Sequence, residues 1–179
     1  MDEIEKKDGK ISFELRKKLA LEAFERCILY DMEIHRYLAK QFHREEEFHD
    51  VILLKYEKAH DLRYGENPHQ KAAFYREPGF EGISLCNAEQ LWGKTLSYNN
   101  VADLDAALKI VMDFDKTAAV VVKHGNPIGV AVDRDPTRAY MKARDVDPAA
   151  AFGSVVAFND TVEKKTAKEL TTTFIEAVV

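Results

Sequence analysis

Residues 118–129 read AAVVVKHGNPIG, and this stretch decides the predicted fold. Its first five residues are apolar, rich in β-branched valine and bounded by turn-forming residues, which is typical of a buried β-strand. Asn126, Pro127 and Gly129 predict that the strand then stops, because proline cannot donate to a ladder and glycine tolerates positive φ. Lys123 and His124 are therefore expected at the end of a buried strand.

The position of this Lys-His pair allows two interpretations. Open α/β sheets often bind ligands beyond their strand ends, so the pair could serve a binding or catalytic site. Alternatively, the two side chains simply reach water where the strand ends. The local sequence favours this second, simpler interpretation.

The rest of the chain falls into two regions with different patterns of apolar and polar residues. From residue 12 to about residue 48 the pattern is helical, with apolar residues three and four positions apart and no glycine or proline. From residue 51 onward, predicted strands (51–56, 71–77, 118–124, 153–159 and 174–179) alternate with predicted helices (101–114, 136–144 and 162–172). This alternation predicts a layered α/β domain over 51–179, preceded by a helical segment over 1–50.

Composition and charge exclude several classes of function. The chain has 179 residues, 46% of them hydrophobic and 32% charged, with a net charge of −5. An acidic chain of this kind is not expected to bind nucleic acid or anionic membranes. Cys27 and Cys86 form no C-x-x-C motif, which predicts neither zinc nor a disulfide framework and fits a cytoplasmic location. Glu45 and His49 are four residues apart, a spacing at which two side chains of a helix could bind one metal ion, but a solvated helix face is the simpler interpretation.

Four polar motifs are candidates for a site: LRYGENPHQ (62–70), LSYNN (96–100) followed by Asp103, KHGNPIG (123–129) and DPAAAFGSVVAF (147–158). The first could present the Arg63 guanidinium to a phosphate. Asn100 or Asp103 in the second is expected to cap a helix. In the fourth, Gly153 could let the backbone approach a ligand, and Phe152 could offer a stacking face. Taken singly, each motif is also compatible with an ordinary turn or cap.

The order and spacing of these motifs resemble the family of bifunctional purine-biosynthesis proteins that carry AICAR transformylase and IMP cyclohydrolase activities. The matching patterns are RYGENPHQ, LSYNN-x-x-D, KH-x-NP-x-G and D-P-x-x-A-F-G. The helical stretch E-x-R-x-x-L-A-x-x-A-F, from Glu14 to Phe24, is similar to the family's segment that closes the cyclohydrolase part. The resemblance implies that 51–179 is the first, cytidine deaminase-like subdomain of a transformylase, cut short at its C-terminal end, and that 1–50 ends the cyclohydrolase region and the linker.

The resemblance also implies a reaction and roles for particular residues. The reaction is transfer of a formyl group from 10-formyltetrahydrofolate to the 5-amino group of the aminoimidazole carboxamide ribonucleotide. His124 would be the base and Lys123 would steady the oxyanion and protonate N10, as general acid–base catalysis requires. The nucleotide would be bound by residues of the first, third and fourth motifs: Arg63, Tyr64, Asn67, His69, Asn126, Phe152 and Gly153.

The chain departs from the family pattern in sequence and in length. Ile128 stands where the family usually has cysteine, and Ala150 and Ser154 stand in a segment that usually reads S-A-F-G-G. The resemblance implies that the family's cyclohydrolase domain and second transformylase subdomain are missing from this chain, so the site is expected to need a homodimer or a chain supplying the missing half. A non-catalytic nucleotide-binding or assembly fragment is the alternative. A zinc deaminase is a poorer match, because Gly125 and Asn126 follow His124 where that class requires H-x-E.

Overall fold

A computed structural model of the chain describes residues 3, 6, 9–42, 48 and 51–179. The chain divides into two units, Met1–Leu54 and Lys55–Val179. In the first unit, helix α1 spans Phe13–Gln41, and the Ser12 hydroxyl caps it by accepting a hydrogen bond from the Leu15 amide at 3.2 Å. The helix therefore ends before residue 48, and the Glu45–His49 pair lies outside the described residues.

The second unit contains six strands in two sheets. Strands β1 (Glu57–Asp61) and β2 (Ala73–Arg76) form an antiparallel pair. The larger sheet has the order β4-β3-β5-β6, with β3 at Ala118–Lys123, β4 at Asn126–Val132, β5 at Ser154–Phe158 and β6 at Ile175–Val178. Strand β3 is antiparallel to both of its neighbours, whereas β5 and β6 are parallel.

Helices cover both faces of the larger sheet. They are α2 (Tyr98–Met112), α3 (Pro136–Arg144), the short α4 (Pro148–Ala151) and α5 (Lys164–Leu170). Alternate residues of β3 point to opposite faces: Val120 and Val122 pack in one core cluster with α2, and Val121 packs in a second cluster with α3 and α5. This three-layer arrangement confirms the predicted α/β fold. None of the described helices has the length and apolar character needed to cross a membrane.

The structure has one strand that the sequence does not predict. Strand β3 ends at Lys123, before Asn126, Pro127 and Gly129, as predicted, but these three residues then lie in β4. Proline is tolerated there because β4 is an edge strand, and a bulge shifts the register between Gly129 and Pro127. The predicted strand over 51–56 is wrong, since pairing with β2 begins only at Glu57.

Gly129 explains how closely α3 approaches the sheet. A Cβ atom at this position would lie 1.9 Å from the Ala143 carbonyl oxygen. Helix α3 itself has the bounds that the sequence predicts, because Asp135 accepts a hydrogen bond from the Thr137 amide at 2.9 Å and Pro136 begins the helix. Because Gly129 has no side chain, the backbone of α3 at Ala143 can pack directly against β4.

Candidate functional site

The Lys-His motif forms the tip of the β3–β4 hairpin. Lys123 pairs with Asn126, so the loop consists only of His124 and Gly125, with φ of 54° and 71°. Two positive φ values are the signature of a type I′ hairpin turn, in which asparagine and glycine are favoured. Among the described residues, His124 is the only one other than glycine with positive φ. The Asn126 side-chain amide donates to the His124 carbonyl at 2.9 Å and closes the turn.

Groups on both sides of the sheet hold this tip in place. The Asp103 carboxylate, on α2, accepts a hydrogen bond from the Gly125 amide at 2.6 Å. The Lys123 ammonium donates to the carbonyl oxygens of Phe152 at 2.8 Å and Ala150 at 3.3 Å. The third motif is thus joined to the second through Asp103, and to the fourth through Lys123.

The loop over 62–70 is built by backbone hydrogen bonds. The Arg63 amide donates to the Leu96 carbonyl at 2.8 Å, and the Tyr98 amide donates to the Tyr64 carbonyl at 3.0 Å. Beyond Gly65, residues 67–70 form a turn in which the Gln70 amide donates to the Asn67 carbonyl at 3.0 Å. The first and second motifs therefore lie side by side.

The Arg63 side chain lies beside Asn100 and Glu176. Its Nη2 atom is 3.5 Å from Asn100 Oδ1, 3.7 Å from Glu176 Oε1 and 3.4 Å from the Tyr64 hydroxyl. The guanidinium carbon lies 5.0 Å from the centre of the Tyr64 ring. All these contacts are long, and among the described residues Nη1 and Nε have no hydrogen-bond acceptor. One edge of the guanidinium is thus open to a ligand.

The first turn of α2 differs from the sequence-based prediction. The helix is capped by Ser97, and Asn100 completes a capping box by accepting from the Ser97 amide at 3.0 Å. Asp103 is not a cap but the anchor of Gly125, and a bulge in β6 lets Glu176 receive a hydrogen bond from Asn100 at 3.3 Å. Sequence reasoning missed the roles of Asp103 and Glu176, since both depend on tertiary contacts.

The fourth motif forms a capped turn before β5. Asp147 accepts a hydrogen bond from the Ala150 amide at 3.0 Å and starts α4. Gly153 has a φ of 72°, and its amide donates to the Phe174 carbonyl at 2.8 Å. The Phe152 ring is 59% exposed and lies 5.6 Å from the ring of Phe174. An aromatic face is therefore available next to the carbonyl groups that hold Lys123.

The structure does not bring every predicted site residue into contact with the others. Asn67 and His69 lie on the exposed part of the 62–70 loop. Within the described part of the chain, the imidazoles of His69 and His124 have no hydrogen-bond partner. No three His, Cys, Asp or Glu side chains of the described residues form a group that could hold a metal ion. The contacts therefore join Lys123 to the Phe152 carbonyl and the His124 turn to α2 through Asp103. The Arg63 side chain forms a separate set of contacts with Tyr64, Asn100 and Glu176, and His69 belongs to neither set.

The clearest carboxyl pKa shifts belong to the α3 end of the sheet. The hydrogen bond from Lys165 is the main cause that lowers the pKa of Asp135 to about 2, and the hydrogen bond from Lys142 lowers the pKa of Asp133. Burial raises the pKa of the Tyr140 hydroxyl. These groups lie outside the four motifs and bear on stability.

Comparison with known proteins supplies the family. The model of a family described as the AICARFT/IMPCHase bienzyme matches residues 1–179. The chain belongs to this family. Among its relatives is the bifunctional purine biosynthesis protein PurH of Persephonella marina, which is 46% identical over 175 residues. The PurH proteins of Bacillus mycoides and of Thermoanaerobacter sp. strain X514 are 46% and 47% identical over 174 residues.

The similarity covers nearly all of this chain but only part of each relative. In all three comparisons it includes 97% of the chain and 34% of the relative. The chain therefore spans about a third of the length of these AICARFT/IMPCHase relatives.

Proposed function

We propose that the chain carries part of an AICAR transformylase site, with Lys123 and His124 as its proton-transfer groups. The substrates would be the aminoimidazole carboxamide ribonucleotide and 10-formyltetrahydrofolate. Family membership supports this proposal, as does the description of the PurH relatives as bifunctional purine biosynthesis proteins. The hydrogen bonds that link each of the four motifs to the next also support it.

The backbone of His124 is the observation that carries the proposal. A residue with a Cβ atom is unfavourable at positive φ, and a type I′ turn prefers asparagine or glycine at this position. The histidine therefore destabilises this turn by a conformational free energy of order 1 kcal/mol, whereas asparagine would fit the turn better. Strained positions of this kind cluster at functional sites, and here the strained residue directly follows a lysine.

The proposed chemistry moves two protons. The 5-amino nitrogen attacks the formyl carbon, while His124 takes a proton from that amine. The tetrahedral intermediate carries an oxyanion, which the Lys123 ammonium stabilises by charge. The bond between the formyl carbon and N10 then breaks, and Lys123 supplies the proton that N10 needs to leave. Histidine suits the role of base because its ordinary pKa lies near neutral pH.

The nucleotide phosphate is assigned to Arg63. The open edge of its guanidinium can bind two phosphate oxygens at once, and the Tyr64 ring lies beside it, 5.0 Å from the guanidinium carbon. Phe152 and Gly153 would line the ribonucleotide pocket next to Lys123. Asn67, His69 and Asn126 are assigned supporting contacts with the nucleotide, because they lie in the same motifs as Arg63 and Lys123.

The proposed site is completed outside this chain. Because the chain spans about a third of its relatives, we propose that a homodimer partner or a second chain supplies further nucleotide and folate contacts. Cys27 and Cys86 form no disulfide, which fits the reducing cytoplasm. No zinc is assigned to this mechanism.

The partial coverage also favours a second candidate function. A segment that is a third of a two-activity protein could bind the ribonucleotide without turnover. Formyl transfer should therefore be measured for the chain alone and for the chain mixed with the remainder of the Persephonella marina relative. Activity in the mixture supports the transformylase; nucleotide binding without activity in either sample supports the binding fragment.

Variants separate the proposed roles. Lys123→Ala should abolish formyl transfer by the mixture while nucleotide binding to the chain is kept. Arg63→Ala should chiefly weaken nucleotide binding, and Arg76→Ala on β2 is a matched control. If Lys123→Ala left the rate unchanged in an active mixture, the catalytic assignment of this lysine would be wrong.

A further inference from the structure

Ser154, at the first position of β5, has a buried hydroxyl group. The residue is 1% exposed, and among the described residues its Oγ atom has no hydrogen-bond partner. Buried polar groups in proteins are nearly always hydrogen-bonded, because an unpaired one loses its bonds to water and gains nothing. A nearby donor that changes its position can supply a partner for this hydroxyl.

The register of the sheet places Lys123 next to this hydroxyl. Strands β3 and β5 pair Val121 with Val156 and Val122 with Val155, so the next step brings Lys123 opposite Ser154. Directly opposed residues of antiparallel strands have their Cβ atoms about 5 Å apart on the same face. The Lys123 ammonium also donates to Phe152, two residues before Ser154, so its stem extends in this direction.

The ammonium group has hydrogen-bonding capacity to spare. It carries three N–H donors, of which one meets the Phe152 carbonyl at 2.8 Å and another meets the Ala150 carbonyl at 3.3 Å. The contact with Ala150 is slightly longer than the usual range of such hydrogen bonds. The lysine stem is flexible, so a small rotation can exchange this weaker acceptor for the serine oxygen.

We propose that Ser154 is a positioning residue for Lys123, whose ammonium donates a hydrogen bond to the Ser154 hydroxyl in a second rotamer. The Phe152 carbonyl is the common acceptor in both rotamers, while Ala150 and Ser154 alternate. In the second rotamer, the hydrogen bond to Ser154 thereby holds the Lys123 ammonium in a defined position. The catalytic consequence rests on the proposed transformylase function, but the contact itself does not.

The contact can be tested on the chain as it is, by observing the Lys123 ammonium in a nitrogen-15 NMR spectrum. Lys123→Gln identifies the signal by removing it. Ser154→Ala should shift the signal and speed its proton exchange with water about threefold to tenfold, as expected for the loss of one net hydrogen bond. Tyr140→Phe is the matched control, because the Tyr140 hydroxyl is likewise buried without a hydrogen-bond partner among the described residues; it should leave the signal unchanged.

Each outcome of this experiment decides the question. An ammonium signal that Ser154→Ala leaves as it was, or changes no more than Tyr140→Phe does, overturns the proposal. If circular dichroism shows that Ser154→Ala does not fold, Ser154→Cys replaces it, since sulfur is a weak acceptor of similar size and should give the same shift in smaller measure.

A kinetic measurement then separates this inference from the proposed function. In an active mixture with the rest of a relative, Ser154→Ala should lower kcat for formyl transfer and leave KM for the ribonucleotide unchanged. A wild-type mixture without formyl transfer would contradict the proposed function only, because the ammonium signal still reports the contact between Ser154 and Lys123.

Discussion

Removing the Asp103 carboxylate should loosen the hairpin tip and lower the stability of the chain. The carboxylate accepts a short hydrogen bond from the Gly125 amide at 2.6 Å, and bonds to charged groups contribute about 1.5–3 kcal/mol. Gly125 is exposed, so water replaces the lost acceptor and the loss falls to roughly 1–1.5 kcal/mol. Asp103→Ala should therefore lower the urea midpoint of unfolding by about 0.6 M, at a slope of about 2 kcal/mol per M.

Asp105 provides a matched control for this prediction. It lies one half-turn further along α2 and forms an exposed ion pair with Lys109 at 2.6 Å, a type of pair that contributes only about 0.3–0.5 kcal/mol. Asp105→Ala should thus shift the midpoint far less, and Asp103→Asn, which keeps an acceptor, should fall in between. The Gly125 amide signal in NMR should move only in the Asp103 variants. Equal midpoints for Asp103→Ala and Asp105→Ala would refute the role assigned to Asp103.

Three further changes test other parts of the structure. Gly129→Ala should destabilise the chain by about 3 kcal/mol or more in urea unfolding, because the new Cβ atom meets the Ala143 carbonyl at 1.9 Å; a loss below about 1 kcal/mol would contradict this packing. Asp135 has a folded pKa of about 2, so its ion pair stabilises the fold above its ordinary pKa of 3.8, and this contribution is lost as pH falls from 3.8 to 2. Asp135→Asn should flatten the decline of the urea midpoint below pH 5, and an unchanged decline would rule out this carboxyl as a source. Glu176→Gln should tighten ribonucleotide binding by calorimetry about fivefold, since a negative charge near the phosphate costs about 1 kcal/mol; equal affinity would place the phosphate away from Arg63.

Much of the layered fold can be predicted from local sequence. Helix α3 has its predicted bounds because neighbouring residues determine its start: Asp135 caps it and Pro136 begins it. Strand β3 is equally clear, since its β-branched residues are buried on both faces. Strand β4 was not predicted, because Pro127 and Gly129 look like terminators unless one knows that the strand lies at an edge.

The candidate site was predictable as a set of motifs but not as an arrangement. The resemblance to a family supplied Lys123, His124 and Arg63, while their local sequence favoured ordinary turns. The contacts of Asp103, Ser154 and Glu176 depend on which strands pair and on a bulge in β6, and such pairings leave no periodic signal in the chain. The strained backbone of His124 likewise becomes visible only when the two-residue turn is seen.

The most direct test of the proposed site is the rate of formyl transfer by the chain with His124→Asn, mixed with the rest of a relative. Asparagine suits the positive φ of this turn, so the variant should be at least as stable as the wild type in urea. Without the imidazole base, the rate should fall by about 10²-fold or more while the hairpin stays folded. A stable variant that transfers the formyl group at the wild-type rate would contradict the account.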